Sequence, residues 1–167
     1  MSDEQFAQLY KRHVDRVYRV CFMLLKNTAD TEDAVQTVFI KLMQSKKTFN
    51  DLEHEKAWLI RTARNHCLNL LSHWWRRKRV NLDGLSEWIV PHEDDLRELW
   101  KLVLELPAKY KTVVYLYYYE GYSTREIARI LEMKETTVRS QLYTARKLLK
   151  IEMEGDLYAV RRPESSH

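Results

Sequence analysis

Apolar residues recur every three or four positions along most of this chain, which is the spacing of one buried helical face. The first such stretch predicts a long helix over about residues 3–27. A second predicted helix is capped by Asp30 or Thr31 and ends near Gln44. A third covers about residues 54–79 after a polar, irregular segment. The apolar side of the second helix is predicted to contain Ala34, Val35, Val38, Phe39, Leu42 and Met43.

The second half of the chain follows the same pattern with shorter helices. One is predicted over about residues 94–105, where early acids suit the positive end of the helix dipole. The next begins at Pro107, because proline is tolerated at the first helical position, and continues to about Glu120. Five tyrosines lie near its end, at positions 115, 117, 118, 119 and 122. Most of them are predicted to pack rather than to bind a ligand.

Residues 122–150 are predicted to form two short helices joined by a tight turn, which is a helix-turn-helix. Ser123 stands three residues before Glu126, the arrangement of a capping box at a helix start. Gly121 suits the end of the preceding helix. Apolar residues resume after a break at about 132–134. Those predicted to form the buried side of the last helix are Val138, Leu142, Ala145, Leu148 and Leu149.

The last predicted helix is rich in cations. Between residues 134 and 150 there are five cations and a single acid, Glu135. Side chains of the types found on its polar side reach phosphate oxygens and base edges when a helix lies in a major groove. An ordinary helical hairpin with a solvated basic face is the alternative, but the charge imbalance favours DNA as the ligand. The candidate residues are Thr136, Thr137, Arg139, Ser140, Gln141, Thr144, Arg146 and Lys147.

The third predicted helix carries a second basic signal. Residues 56–79 contain seven cations and no acid, interleaved with tryptophan, histidine and asparagine. Cations that follow a backbone, together with rings on which bases stack, are what a nucleic-acid surface requires. Trp58 fits the apolar stripe and is interpreted as core packing. The terminal run WWRRKR could instead be a basic end that binds nothing in particular, but nucleic-acid contact is favoured.

The composition predicts an all-α protein. The chain has 167 residues, a formal net charge of +4, and only three glycines and three prolines. Few alternating β-branched runs occur, which argues against strands. We predict two small helical domains, at 1–80 and 94–152, joined by an acidic linker at 81–93 and followed by a tail at 153–167.

Candidate sites of other kinds are few. Cys21 and Cys67 lie in apolar helical patterns without CxxC spacing, and are interpreted as core thiols in a reducing compartment. His13 is interpreted as a hydrogen-bonded core residue. There is no signal-peptide pattern, and no apolar run approaches the roughly 18 residues of a membrane span. We therefore expect a cytoplasmic protein with no metal, cofactor or catalytic residue.

With these features in place, the chain resembles an extracytoplasmic-function (ECF) sigma factor, a small member of the sigma-70 family of bacterial transcription initiation factors. The resemblance runs from Phe6 to Lys150, and it is the order and spacing of four stretches that make it specific. They are DTEDAVQTVFIKLMQ at 30–44, AWLIRTARNHCLNLL at 57–71, LPAKYKTVVYLYYYEGYSTREIARIL at 106–131 and TTVRSQLYTARKLL at 136–149.

The resemblance implies a role for each polar surface. The last helix would read the −35 promoter element through the side chains given above. The third helix and the loop before it would recognise and open the −10 element. The second helix would dock on the clamp-helix coiled coil of the polymerase β′ subunit. The implied −10 residues are Asn50, Arg61, Arg64, Asn65, Asn69, Trp74, Arg76, Arg77, Lys78 and Arg79. The implied docking residues are Glu32, Asp33, Gln36, Thr37 and Lys41.

The resemblance also implies a function and partners. The protein would direct core bacterial RNA polymerase to specific promoters and help to open the DNA, contacting the β′ clamp helices and the β flap. An anti-sigma factor, often membrane-bound in this family, would hold it silent, in that case at the membrane. No small-molecule substrate is expected.

Four residues depart from the family pattern. Thr37 stands where an acid is commoner, and Thr144 replaces a frequent arginine that could contact guanine. Glu132 takes the place of the usual turn glycine. Lys134 takes that of the usual Ser or Thr cap, so an irregular start is predicted for the last helix.

Two other functions fit parts of the sequence. A one-component regulator would use the same helix-turn-helix as a dimer on a palindrome, but it leaves the acid-free helix at 56–79 unexplained. A nuclease or metal hydrolase would need ligand spacing such as HExxH or CxxC. Three short clusters could supply ligands for such an enzyme, but none of them has this spacing. They are His54-Glu55, His66-Cys67 and His92 to Asp95.

Overall fold

The computed structural model describes residues 1–77 and 94–149, and these residues form helices and turns with no strand among them. The chain divides into two compact units, Met1–Ile89 and Val90–His167. The prediction of an all-α fold built from two small helical domains is confirmed. The predicted linker and tail lie outside the described residues.

Unit 1 contains three helices, each packed against the other two. They are α1 (Asp3–Leu25), α2 (Thr28–Ser45) and α3 (Leu52–Arg77). Residues 20–25 at the end of α1 are all buried, so this end of the helix lies at the centre of the unit. The core stripe predicted on α3 is present, with Trp58, Ala63 and Cys67 buried. Burial of apolar side chains between the three helices is the main stabilising term.

The start of α2 differs from the prediction. Asn27 is the capping residue, and its Oδ1 accepts a hydrogen bond of 2.8 Å from the backbone N–H of Asp30. The prediction of Asp30 or Thr31 as the cap is therefore wrong. Asparagine caps helices as well as aspartate does, and because Asn27 comes first it places the other two residues inside the first turn.

One apolar position of α2 also differs from the prediction. Met43 was assigned to the apolar side, but the structure leaves it 61% exposed. Leu42 fills the core at this level, and Met43 follows it by one residue, which turns its side chain about 100° around the helix. The other five predicted residues of this stripe are buried.

The helix α3 begins earlier than predicted, at Leu52 instead of about His54. The carboxylate Oδ1 of Asp51 accepts a hydrogen bond of 2.7 Å from the backbone N–H of His54 and so caps the first turn. The ring of Phe49 lies 5.3 Å from that of His54 and 6.1 Å from that of Trp58, measured between centroids. The loop before α3 is thus fixed by a cap and by aromatic packing.

Unit 2 contains α4 (Asp94–Glu105), α5 (Ala108–Val114), a π-helical segment (Tyr115–Tyr119), α6 (Thr124–Leu131) and α7 (Glu135–Leu149). The bounds predicted for α4 agree with those observed. The single helix predicted up to Glu120 instead widens into the π-helical turn, in which the N–H of Glu120 donates to the carbonyl of Tyr115 at 3.1 Å. Such widened turns occur frequently at functional sites.

The tyrosine cluster packs, as predicted. Tyr115 and Tyr118 are buried, and Tyr117, Tyr119 and Tyr122 are half-buried. The hydroxyl of Tyr115 donates a hydrogen bond of 2.8 Å to Glu120, and its ring stacks on that of Tyr119 at 5.0 Å. The segment before the helix-turn-helix is therefore held by its own aromatic side chains.

Candidate nucleic-acid interface

The helix-turn-helix is formed by α6 and α7. Oγ of Ser123 accepts a hydrogen bond of 3.1 Å from the N–H of Glu126, and Oε2 of Glu126 accepts one of 2.9 Å from the N–H of Ser123. The predicted capping box is therefore confirmed. Gly121 precedes it with a φ of 79°, a backbone conformation that glycine adopts at little cost.

The turn between α6 and α7 is closed by Glu132, which takes the left-handed conformation with a φ of 54°. The next residue, Met133, donates its N–H to the carbonyl of Ala128 at 3.0 Å. Glycine is the usual residue at such a position. The departure from the family pattern at this residue thus changes the side chain and leaves the turn geometry in place.

The start of α7 is regular, and the irregular start predicted from Lys134 is wrong. The carbonyl of Lys134 accepts hydrogen bonds from the N–H groups of Thr137 and Val138, at 3.0 and 3.1 Å. In addition, Oε1 of Glu135 accepts a hydrogen bond of 2.9 Å from the hydroxyl of Thr124 in α6. This bond between the helices fixes the first turn of α7 without a side-chain cap.

The buried side of α7 is formed by Val138, Leu142 and Ala145. Leu148 was predicted to belong to it but is 55% exposed. Leu148 lies one residue before Leu149, which is half-buried. Because successive helical residues are about 100° apart around the axis, the side chain of Leu148 points away from the core.

The opposite side of α7 borders an open groove of about 360 Å³. Five of the eight residues predicted for the −35 element line it, and they are Thr136, Thr137, Ser140, Gln141 and Thr144. Across the groove lie Lys109 and Tyr110 at the start of α5. Sequence reasoning missed these two residues, because the crossing of α5 over α7 cannot be read from a local pattern.

Gln141 has an unused acceptor in this groove. Its Oε1 is buried, and no donor among the described residues lies within hydrogen-bonding distance of it. A buried acceptor without a partner costs free energy unless a ligand or water satisfies it. Because this atom is closed to solvent, a donor from outside the protein can reach it only after the Gln141 side chain rotates toward the groove.

The three cations predicted on α7 lie in different environments. Arg139 is exposed and pairs with Glu135, with Nη2 and Oε1 2.9 Å apart. Arg146 turns toward the π-helical segment, where its Nε donates to the hydroxyl of Tyr118 at 2.6 Å. Lys147 is exposed, and its Nζ lies 4.6 Å from the ring centroid of Tyr143. The structure thus separates Arg146 from the groove residues.

Tyr143 is a residue of this surface that sequence reasoning missed. It is 57% exposed and lies three residues after Ser140, which places the two on the same face of α7. An aromatic residue on the polar face of the last predicted helix was a signal available in the sequence, but Tyr143 was not included among the candidate residues.

The candidate −10 residues of unit 1 extend along α3. Arg61 and Arg64 are half-buried, and Asn65 and Asn69 are exposed one turn apart. Burial lowers the pKa of the Arg64 guanidinium, whose Nη1 donates to Oδ1 of Asn65 at 3.3 Å. Trp74 is half-buried nearer the end of the helix.

The remaining −10 candidates flank these residues along the chain. Asn50 is exposed in the loop before α3. Arg76 and Arg77 belong to the last turn of α3. Lys78 and Arg79 lie outside the described residues. The structure therefore places Asn50 and Arg77 near opposite ends of one long helix.

A partly buried charge network supports the start of α3. Oε1 of Glu55 accepts hydrogen bonds from Arg12 Nη2 at 2.8 Å and from His13 Nε2 at 2.7 Å. Nδ1 of His13 lies 3.1 Å from Nη1 of Arg16. Because arginine can only donate, Nδ1 accepts this bond and the proton resides on Nε2. His13 is therefore a hydrogen-bonded core residue, as predicted.

The polar side of α2 is open to solvent. Glu32, Asp33, Gln36 and Lys41 are exposed, and Thr37 is half-buried with its hydroxyl donating to the carbonyl of Asp33 at 2.9 Å. Ile40 is also 49% exposed. It lies one turn after Gln36 and extends this face with an apolar side chain, which sequence reasoning missed.

No helix among the described residues is long and apolar enough to cross a bilayer. They contain no group of three or more His, Cys, Asp or Glu residues that could hold a metal ion. Of the clusters considered for a hydrolase, Glu55 is occupied by Arg12 and His13.

Family models match both units. The model of sigma-70 region 2 matches residues 9–79, and that of sigma-70 region 4 matches residues 96–149. RNA polymerase sigma factor SigV of Bacillus subtilis is 30% identical over 84% of this chain and 86% of its own length. The chain belongs to the ECF group of the sigma-70 family. The function is thus that of a sigma factor, which directs RNA polymerase to promoters, and the predicted family is confirmed.

Further relatives agree with this placement. ECF RNA polymerase sigma factor SigX of B. subtilis is 27% identical over 91% of this chain and 85% of its own length. SigE of Mycolicibacterium smegmatis is 33% identical over 86% of this chain and 59% of its own length. The sigma factor RpoE of Bartonella quintana, solved with the anti-sigma factor NepR, shares the fold at 22% identity. Its TM-score is 0.67, with 95% of this chain and 99% of that chain covered.

The family assignment decides between the functions considered for the sequence. A one-component regulator accounts for unit 2 alone, whereas a region 2 match also accounts for the basic helix α3. The regulator is therefore not favoured. Sigma factors are DNA-binding regulators, and the polymerase carries the catalytic centre.

Proposed function

We propose that the two units divide promoter recognition between them, with α7 reading the −35 element and α3 with its preceding loop recognising and opening the −10 element. The observation that carries this proposal is the groove beside α7, because five residues singled out for base and phosphate contact line one open surface. The domain boundaries proposed for this division are 1–80 and 94–152, joined by the linker at 81–93 and followed by a tail at 153–167.

Contacts to the −35 duplex would be of two kinds. Phosphate oxygens would be bound by the threonine and serine hydroxyls, by Lys109 and by Lys147. Contacts of this kind set the register of the protein on DNA. Arg139 and Gln141 suit base edges, because arginine pairs with guanine and glutamine with adenine. Gln141 lines the groove, and its side chain would rotate to present the amide to a base. Arg146 would contribute indirectly, by holding α7 in place through its hydrogen bond to Tyr118.

Opening of the −10 element would use the polar side of α3. Flipping a base out of the duplex costs a few kcal/mol, which stacking and hydrogen bonds to the freed base offset. Asn65 and Asn69 offer exposed amides one turn apart. Asn50 and the half-buried Trp74 extend this surface toward both ends of the helix. The cations Arg76, Arg77, Lys78 and Arg79 would contribute further contacts to the DNA.

Docking on polymerase would use the exposed side of α2. Its polar residues Glu32, Asp33, Gln36, Thr37 and Lys41 are joined by Ile40. A surface with charges around an apolar residue fits the usual composition of protein interfaces. The proposed partner surface is the clamp-helix coiled coil of the β′ subunit, with the β flap as the contact of unit 2.

We also propose that the protein works in the bacterial cytoplasm, where it meets RNA polymerase, and that an anti-sigma factor controls it. The complex of RpoE with NepR supports this kind of partner. A membrane-bound anti-sigma factor would hold the protein at the membrane until released. The chain would contribute binding and DNA distortion, and it would catalyse no covalent step.

Run-off transcription tests the proposed function. Core RNA polymerase is incubated with a library of genomic fragments, with and without the purified protein. Start sites that depend on the protein are expected, and the aligned upstream sequences will give both promoter elements. If the protein shifts duplex DNA without producing start sites, the role of unit 1 in initiation is wrong.

A second assay separates opening from duplex binding. The variants Asn69→Ala and Arg64→Ala are each tested for binding to a closed promoter and for opening of the DNA. Opening is detected by the reactivity of unpaired thymines to permanganate. We expect opening to fall more than binding. An equal loss in both measurements would contradict the assignment of α3 to strand separation.

A further inference from the structure

The first turn of α7 carries an acid next to the surface proposed to contact DNA. Glu135 is the single acid between residues 134 and 150, in a segment that holds five cations. A carboxylate close to phosphates repels DNA and weakens binding. Its presence beside the groove residues calls for a role that outweighs this repulsion.

The carboxylate of Glu135 is held from two sides. Oε1 accepts a hydrogen bond of 2.9 Å from the hydroxyl of Thr124 and one of 2.9 Å from Nη2 of Arg139. Thr124 belongs to α6, so the carboxylate is anchored to the neighbouring helix. The Thr124 hydroxyl, followed by the charge and hydrogen bond of Arg139, lowers the pKa of the Glu135 carboxyl. Glu135 is thus ionised at neutral pH.

Arg139 is held at one end and open at the other. One of its nitrogen atoms donates to Glu135, yet its side chain is still 68% exposed. Arginine offers five N–H donors in a rigid planar fork, so donors remain for a ligand. A side chain that is already fixed before binding loses less conformational entropy when it makes a contact.

We propose that Glu135 is a positioning residue that orients Arg139 for base recognition in the −35 element and so increases sequence discrimination. This inference rests on the proposed role of α7. On a duplex that offers Arg139 no suitable base, the carboxylate contributes only repulsion, which weakens binding to unrelated sequences. Thr124 completes the arrangement by fixing the carboxylate.

A purely structural Glu135 would behave differently. An acid in the first turn stabilises a helix through its dipole, and a Glu–Arg pair one turn apart adds to this. Both effects change the stability of α7. Neither changes the ratio of affinities for two duplexes of different sequence, which is therefore the quantity to measure.

The experiment compares the full chain and its variants by fluorescence anisotropy. The probes are a duplex with the −35 sequence recovered by run-off transcription and a scrambled duplex of the same base composition. We expect Glu135→Gln to reduce the ratio of the two affinities by about five- to tenfold, part of the discrimination that a bidentate arginine supplies. The control Glu132→Gln removes the same charge from the nearby turn and should leave the ratio unchanged.

Two further variants test the path through Arg139. Arg139→Ala should reduce the ratio, and adding Glu135→Gln to it should cause no further reduction, because the two residues act as one unit. Thr124→Val removes the anchoring hydroxyl and leaves the Ser123 cap in place. It should reduce the ratio by a smaller factor than Glu135→Gln.

The outcomes are distinguishable. Equal ratios for Glu135→Gln and Glu132→Gln would overturn the positioning role. A rise in the ratio for Glu135→Gln would also overturn it, because Glu135 would then compete with bases for Arg139. An unchanged ratio for Arg139→Ala would overturn the proposed function of α7, and this inference with it. Circular dichroism confirms that each variant retains its helices.

Discussion

Nε of Arg146 donates a hydrogen bond of 2.6 Å to the hydroxyl of Tyr118. The guanidinium also lies 5.5 Å from the ring centroid of Tyr117 and 5.7 Å from that of Tyr118. These contacts join the second half of α7 to the π-helical segment before the helix-turn-helix. They fix the rotation of α7, and with it the direction in which the groove residues point.

Tyr118→Phe removes the hydroxyl and keeps the ring. We expect the free energy of unfolding to fall by about 1–2 kcal/mol, because hydrogen bonds to charged groups contribute this order of energy. Urea unfolding of the full chain, followed by circular dichroism, measures it. Tyr143→Phe is the matched control, since this tyrosine is exposed, and its change should stay within about 0.5 kcal/mol. Equal small changes would mean that the contact contributes nothing.

Glu55→Ala should lower the free energy of unfolding of unit 1 more than the substitution of any exposed residue. Removing the carboxylate leaves His13 buried without its acceptor and Arg12 without its ion pair. We expect a loss of about 2–4 kcal/mol, somewhat less than for a fully buried pair because Arg12 is partly exposed. Glu53→Ala in the same helix turn is the control, with an expected change below about 1 kcal/mol. A loss as small as that of the control would contradict the network.

The stability of unit 1 should depend on pH through His13. Burial lowers the pKa of its imidazole below the ordinary 6.5, against the opposing effect of Glu55 and with a smaller contribution from Arg16 and Arg12. The unfolded chain therefore binds a proton that the folded one does not, so stability falls as pH drops from about 6.5 toward the folded pKa.

Urea unfolding at about pH 7 and about pH 5 measures this dependence. His13→Gln cannot bind the proton, so the loss of stability over this range should be smaller in the variant. The same loss in both proteins would mean that other groups account for it.

Ser123→Ala and Ser140→Ala should affect different properties of the protein. Ser123 caps α6, and its loss should reduce the free energy of unfolding by about 1 kcal/mol. Ser140 is exposed in the groove, so its loss should weaken duplex binding and leave stability within about 0.5 kcal/mol. Thermal unfolding and anisotropy distinguish the two. If both variants lost only stability, the groove would not be the DNA surface.

Asp33→Asn combined with Gln36→Ala should weaken the affinity for core RNA polymerase by about tenfold or more, as expected when central interface residues are lost. The measurement is a titration of labelled protein with core enzyme. Glu4→Gln, which changes an exposed acid on α1, serves as the control. Unchanged affinity of the double variant would place the docking surface elsewhere in the chain.

Local signals explain what could be predicted from the sequence. The capping box of Ser123 and Glu126, the glycine at 121 and the helical repeat of apolar residues all act within one or two turns, and the structure has them where the sequence indicates. Errors of one residue occurred where a repeat ends, at Met43 and Leu148. At both positions an adjacent leucine is the more buried residue, and the exposed side chain lies about 100° from it around the helix. The pattern alone does not say where the core stops.

Contacts between distant residues could not be predicted in this way. Thr124 meets Glu135 across the turn, Arg146 meets Tyr118, and Lys109 lies opposite the face of α7. Each depends on how two helices cross and rotate. The widened turn at 115–119 has the same origin, because it depends on how five bulky residues pack against the rest of unit 2.

Cys21 and Cys67 are the two cysteines of the whole sequence, and both are fully buried in unit 1. Each is a free thiol, and a hydrogen bond with Cys67 together with burial raises the pKa of the Cys21 thiol well above its ordinary value. A thiol-reactive dye in solution can modify them only after α1 and α3 separate. The rate at which the dye labels these two thiols therefore measures how fast unit 1 opens, with or without bound DNA, and it reports nothing about unit 2.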